Sequence, residues 1–120
     1  MNRWVLLEHK ILVSKLIDIH YDFLVEDELD CLTWKFHEIP SLNKGVVNIV
    51  KQPNHRLVWL SRVDYHLSSN RGLVKRIDHG IFSNISYHQE SQELKIILNG
   101  KLLNGLFIIN GKFCQLTKNN

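Results

Sequence analysis

Residues 17–25 read Ile17-Asp18-Ile19-His20-Tyr21-Asp22-Phe23-Leu24-Val25, and the two halves of this pattern serve different ends. The odd positions are apolar, while Asp18, His20 and Asp22 share the opposite face. Such period-2 alternation marks a half-buried strand. If Glu28-Leu29 is a two-residue turn, Val25 faces Leu32, Phe23 faces Trp34 and Tyr21 faces Phe36 on the next strand. Those apolar pairs build one wall of a core. The other face then carries Leu24 opposite Thr33, Asp22 opposite Lys35, and His20 opposite His37. A slip of one residue would mix the two sets, so the pattern determines the register.

The same alternation recurs along the chain. It predicts strands over Arg3–Val13, Ile17–Glu26, Leu32–His37, Gly45–Lys51, Arg56–Ser61, Gly72–Asp78, Ile81–Tyr87, Glu93–Leu98, Leu103–Ile109 and Lys112–Leu116. Turn residues separate them at Pro40-Ser41-Leu42-Asn43, Gln52-Pro53-Asn54, Ser68-Ser69-Asn70, His79-Gly80, Asn99-Gly100 and Asn110-Gly111. Asn-Gly between apolar runs is a strong hairpin signal. Leu12–Ile19 could hold a helical turn; no longer segment has a 3.6-residue period. Many short strands and no linker or repeat predict a single all-β domain over residues 1–120, a small and mostly antiparallel barrel with flanking hairpins.

Composition narrows the class. With 44% apolar and 22% charged residues, the 120-residue chain has the makeup of a soluble globular domain. No apolar run approaches the roughly 20 residues that cross a bilayer, and the N-terminus has charge where a secretory leader needs an apolar centre. A cytoplasmic location without membrane contact is expected. Cys31 and Cys114 fit no metal-binding or redox spacing and are expected as free thiols. The net charge of +3 suits a nucleic-acid partner without requiring one. Its nearest approach to a basic patch is Lys44, Lys51, Arg56 and Arg62.

His20, Asp22 and His37 on one face could hold a divalent metal. Alternatively, Asp22 pairs with Lys35 across the strands and the histidines are surface residues. Ser68 and His66 are the remaining candidates for catalysis, and both lie in or beside a predicted loop. The tryptophans, flanked by apolar neighbours, read as core residues.

Several motifs carry a resemblance. His20-Tyr21-Asp22-Phe23, Trp34, Pro40-Ser41-Leu42, Pro53 and Asp78-His79-Gly80-Ile81-Phe82 follow one another in the order and spacing of a known family. So does the hairpin Leu94–Gly100 with Leu102, Leu103 and Gly105. From about residue 14 to 109 the chain resembles the 3′-phosphoesterase domain of bacterial DNA ligase D. The resemblance implies a compact β-barrel that trims 3′-phosphates and 3′-ribonucleotides from DNA ends with a manganese ion. DNA ends or a DNA-repair protein are then the expected partners.

Carried over by position, His20 and Asp22 match two of the family's metal ligands. A third ligand position falls on Ser14, the phosphate-binding arginine on Leu24, and a lysine on Glu38. Lys44 matches a basic position and is the candidate phosphate contact, and the loop histidine falls near Ser68, two residues from His66. His37 is the expected substitute for the missing ligand, because the register sets it opposite His20. His9 could serve only if residues 10–16 bulge. The expectation is a stand-alone relative with a degenerate active site, retaining at most DNA-end or repair-protein binding. The alternative is a divergent 3′-phosphoesterase using Mn2+ or another divalent metal.

Overall fold

The computed structural model describes residues 2–42, 44–67 and 71–119. The first hairpin joins β1 (Arg3–Val13) to β2 (Leu16–Glu26) through Ser14 and Lys15, whose φ values of 48° and 68° are the left-handed geometry that a type I′ turn requires. Residues 12–19 therefore hold a tight β-turn and the strand ends beside it, and no helical turn. β3 (Cys31–Phe36) pairs with β2 in the expected register, Val25 with Leu32, Phe23 with Trp34 and Tyr21 with Phe36. The turn between them closes with Asp27 N–H donating to the Asp30 carbonyl at 2.8 Å.

β4 (Val47–His55), β5 (Asp64–His66), β6 (Leu73–His88), β7 (Glu93–Asn99), β8 (Asn104–Asn110) and β9 (Phe113–Thr117) complete the strands among the described residues. All pairings are antiparallel. The order is β1-β2-β3-β4-β9-β8-β7-β6-β5, and β1 also pairs with β6, which brings the sheet round on itself in a ring-like arrangement. No helix among the described residues is long and apolar enough to cross a membrane.

Three expected strand boundaries are corrected. Gln52-Pro53-Asn54 is no turn, because β4 continues through it to His55. His79-Gly80 is no turn, because β6 runs straight through it for 16 residues. At Gly80 a Cβ would lie 2.6 Å from the Asn99 carbonyl oxygen and 3.0 Å from Trp4 Nε1, so the glycine permits a close approach of backbone to ring. From Phe82 onward β6 pairs with β7, after pairing with β1 up to Ile81. Residues 56–61 are likewise no strand: Leu57–Leu60 forms a single 3-10 turn. Four consecutive apolar residues carry no alternation there. In a 3-10 turn Leu57 and Leu60 eclipse one another and reach the same surface.

That turn creates a second core. The main cluster fills the ring with Trp4, Leu6, Phe23, Trp34, Phe36, Phe107 and aliphatic partners from the other strands. Phe23 sits at its centre, its ring 5.0 Å from Phe107 and 5.8 Å from Phe36. A smaller cluster lies on the opposite face of β1 and β2, where Val5, Leu7, Leu24, Cys31, Leu60 and Val74 are buried under Leu57 and Trp59. β1 and β2 are thus buried on both faces near the Trp4–Val25 end, whereas beyond His9 and His20 the hairpin is largely exposed, Leu12, Val13, Leu16 and Ile17 included. Both cysteines are free and buried; burial pushes the Cys31 thiol up to about 11 and the Cys114 thiol to about 12, so neither is a nucleophile at neutral pH.

Asp78 ties the long strand to the β7–β8 loop. Its carboxylate is 4% exposed and accepts backbone N–H bonds from His79, Lys101, Leu102 and Leu103 at 2.8–3.0 Å. Each donor left unpaired in a buried site costs about 1–3 kcal/mol. Asp78→Ala is therefore expected to lower the unfolding free energy in urea by about 3 kcal/mol or more. A loss below about 1 kcal/mol would contradict this role. At the C-terminal end of β2, the Arg3 guanidinium bonds Glu26 at 2.9–3.0 Å and holds its carboxyl down at about 2. A lowered folded pKa gives stability that is complete above the unfolded value of about 4.3 and is lost as pH falls through the folded one. Glu26→Gln should flatten the fall in stability between about pH 4.5 and 2, as read from chemical unfolding at each pH.

Candidate metal centre

His9, His20 and Asp22 come together where β1 and β2 run beyond the outer apolar cluster. His9 and His20 are direct cross-strand partners in the hairpin, as Leu7 is of Asp22. The pairing follows from the two-residue turn at Ser14-Lys15 and needs no bulge. His9 Nδ1 lies 3.1 Å from His20 Nε2, and His20 Nε2 lies 3.6 Å from Asp22 Oδ1. One ligand atom from each of the three residues falls within 4.8 Å of the others. Donors about 2.1 Å from a tetrahedral ion stand roughly 3.4 Å apart, so both measured separations suit a shared ion.

The surroundings agree with that chemistry. His9 Nε2 donates to the Arg71 carbonyl oxygen at 2.7 Å, which leaves Nδ1 with its lone pair directed at His20. A second ring nitrogen held by a carbonyl is the usual way in which a metal-binding imidazole is oriented. His20 and Asp22 are 9% and 8% exposed. Among the described residues, the nearest polar partner of the Asp22 carboxylate is His20. Its cavity, about 70 Å³, is lined by Leu7, His9, His55, Trp59, Leu67 and Val74. A carboxylate so enclosed by apolar side chains calls for a cation. His55 adds a third imidazole at this site, with Nδ1 engaged by the Pro53 carbonyl at 3.1 Å.

The expected residues divide. His20 and Asp22 stand together as foreseen, but His37 does not join them. The β2–β3 ladder ends at Tyr21 and Phe36, and His37 is exposed beyond it. Ile39 packs on the main core and Pro40 is buried, so the chain leaves the sheet at this point; proline has no N–H with which to continue a ladder. Lys35 is opposite Asp22 in register, yet the ion-pair contact of Asp22 is with His20.

Lys44 is engaged at the surface by Glu38, at 2.9 Å. His66 is on the other face of the sheet: its neighbour Tyr65 pairs with Val74, which pairs with His9. It lines a separate cleft with Lys10, Ile11, Leu12 and Ile17. Ser68 lies outside the described residues. Ser14 occupies the hairpin turn, and Leu24 is fully buried in the outer cluster. Of the three tryptophans, Trp4 and Trp34 are core residues, whereas Trp59 is only half-buried and lines the cavity.

His9 was findable from the sequence. Taking Ser14-Lys15 as a two-residue turn brings 9 opposite 20, but Ser-Lys lacks the Asn-Gly signature that marks such turns. Nothing in the sequence marks His55, which reaches the cavity only because β4 continues past Pro53.

No protein-family model matches the chain, and no curated protein matches it.

A cobalt(II) titration followed by visible absorbance separates the two ligand sets. His9→Ala and His20→Ala are each expected to weaken binding at least about tenfold, and His37→Ala to leave it unchanged. Loss of binding in His37→Ala, with His9→Ala unaffected, would overturn this assignment.

Proposed function

We propose that the protein is a divergent, stand-alone relative of the ligase D 3′-phosphoesterases that binds a divalent ion and DNA 3′ ends without efficient turnover. It is an antiparallel β-barrel of that type whose metal centre persists while its phosphate-binding shell has been replaced. The observation that carries this reading is the convergence of His9 with His20 and Asp22, the two residues that the family motif marks as ligands. The ring-like closure of the sheet and the order of the motifs along it support the same relationship.

His9, His20 and Asp22 would hold Mn2+ or a similar ion. Two imidazoles and one carboxylate are a donor set that such ions accept. When bound, the ion supplies Lewis-acid polarisation of a phosphoryl oxygen. The chain's own residues position and enclose it: the Arg71 carbonyl orients His9, and Leu7, Trp59, Leu67 and Val74 limit access of water to Asp22.

Catalysis asks for more. Phosphoryl transfer depends on cations placed around the transferring group, and each such donor is worth about 10²–10³ in rate. Leu24 is packed into the outer cluster where the family's arginine is expected, and Glu38 replaces a lysine and engages Lys44. The site therefore binds better than it reacts. A second reading, a working metal-dependent 3′-phosphoesterase, is favoured by the complete three-residue ligand set.

One assay decides between them. The protein is incubated with Mn2+ and primer–templates ending in a 3′-phosphate or a 3′-ribonucleotide. Binding without release of phosphate or nucleoside is expected. Turnover that disappears in His20→Ala and Asp22→Ala would overturn the binding-only reading and establish the enzyme.

A further inference from the structure

One arginine beside the metal centre is held in an unusual way. The Arg62 guanidinium carbon lies 4.3 Å from the ring centroid of Trp59 and 4.0 Å from that of Tyr65, and these two rings stand nearly perpendicular to each other. Among the described residues, no carboxylate forms an ion pair with it. Asp64 is close in sequence, but it pairs with Lys75 on the face of the sheet opposite to Tyr65. Stacking uses the faces of a guanidinium and leaves the N–H donors at its edge unspent. A planar fork of such donors, fixed before any ligand arrives, is suited to a phosphate oxyanion.

Its position is set by the sheet. Tyr65, Val74, His9 and His20 are successive partners across β5, β6, β1 and β2, so they form one row on one face. With strands about 4.8 Å apart, Tyr65 lies about 10 Å from His9 along that row. Trp59, the second ring under Arg62, also lines the cavity that holds Asp22. Two other basic side chains of this stretch are differently engaged. Lys51 lies over Trp34 and bonds Asn54, and Lys44 bonds Glu38.

We infer that Arg62, clamped by Trp59 and Tyr65, is a second phosphate-binding position, which takes a backbone phosphate of a single nucleic-acid strand whose terminal phosphate lies at His9, His20 and Asp22. The inference rests on the metal-and-terminus reading above and names the part of the ligand that this reading leaves open. The Tyr65–His9 spacing of about 10 Å along the row exceeds one inorganic phosphate and calls for a longer ligand such as a strand of several nucleotides. Arg62 binds the strand upstream of its end and is a positioning residue.

The test uses the full chain with saturating Mn2+ and two probes: inorganic phosphate and a short oligothymidylate carrying a 3′-phosphate. The oligonucleotide is expected to bind at least about tenfold more tightly than phosphate. Arg62→Ala should remove about tenfold of that affinity and reduce the salt slope by about 0.7, the increment for one phosphate contact on a single strand. Arg62→Lys should restore the slope but only part of the affinity, since lysine keeps the charge and loses the stacked fork.

Phosphate and Mn2+ affinities should be unchanged in both variants. Unaltered oligonucleotide affinity and slope in Arg62→Ala, or no oligonucleotide binding by the wild-type chain, would overturn the inference. Failure of the wild-type chain to bind Mn2+ would instead overturn the metal reading on which it rests, so the two failures are distinguishable.

Discussion

The register of β1 against β2 is the constraint on which the rest of this structure depends. β1 pairs on both sides, with β2 along one edge and β6 along the other, and through it the sheet closes. Its near end is buried on both faces: Trp4 and Leu6 face into the ring, and Val5 and Leu7 lie under the 3-10 turn. A one-residue slip would exchange those two sets and expose or misplace both. The Ser14-Lys15 turn fixes the register from the other end. Once it is fixed, His9 has no choice but to stand opposite His20.

The outer apolar cluster then accounts for the character of the site. Small β proteins commonly leave one face of each strand to solvent. Here Leu57–Leu60 folds back over that face and buries Val5, Leu7, Leu24 and Val74. Asp22 and His20 sit at the margin of this cluster, where the strands pass from buried to exposed. Enclosure strengthens any attraction between the carboxylate and a cation, and it removes the room that a phosphate-binding arginine at Leu24 would need. On the proposed reading, metal binding and the loss of catalytic cations have one structural origin. The same turn supplies Trp59, which links the cavity to the clamped Arg62.

Much of the fold was legible in the sequence because two-faced alternation is a local signal. The β2–β3 register was readable from three apolar pairs, and the Asn-Gly steps near 99 and 110 do end strands. The misreadings share a cause. His79-Gly80 looks like a turn, yet its glycine answers to the indole of Trp4 and the carbonyl of Asn99, contacts that are distant in sequence. Arg56–Ser61 looks like a strand, yet its apolar residues serve a second core that no local pattern announces. At the site, His20 and Asp22 were visible as neighbours on one strand. His37 was misassigned because the ladder stops at Phe36, where Ile39 and Pro40 turn inward. His9 was admitted only on condition of a bulge over residues 10–16, because the two-residue turn at Ser14-Lys15 lacks the Asn-Gly signature.

What unites these features is a pair of histidines on adjacent strands, proposed as co-ligands, beside a nearly buried aspartate. Electron spin-echo modulation of Mn2+ bound to protein labelled with 15N-histidine addresses this point directly. Two directly coordinated imidazole nitrogens are expected in the wild-type chain, and one in His9→Ala. A wild-type spectrum with a single coordinated imidazole, or one unchanged by removal of His9, would contradict the account.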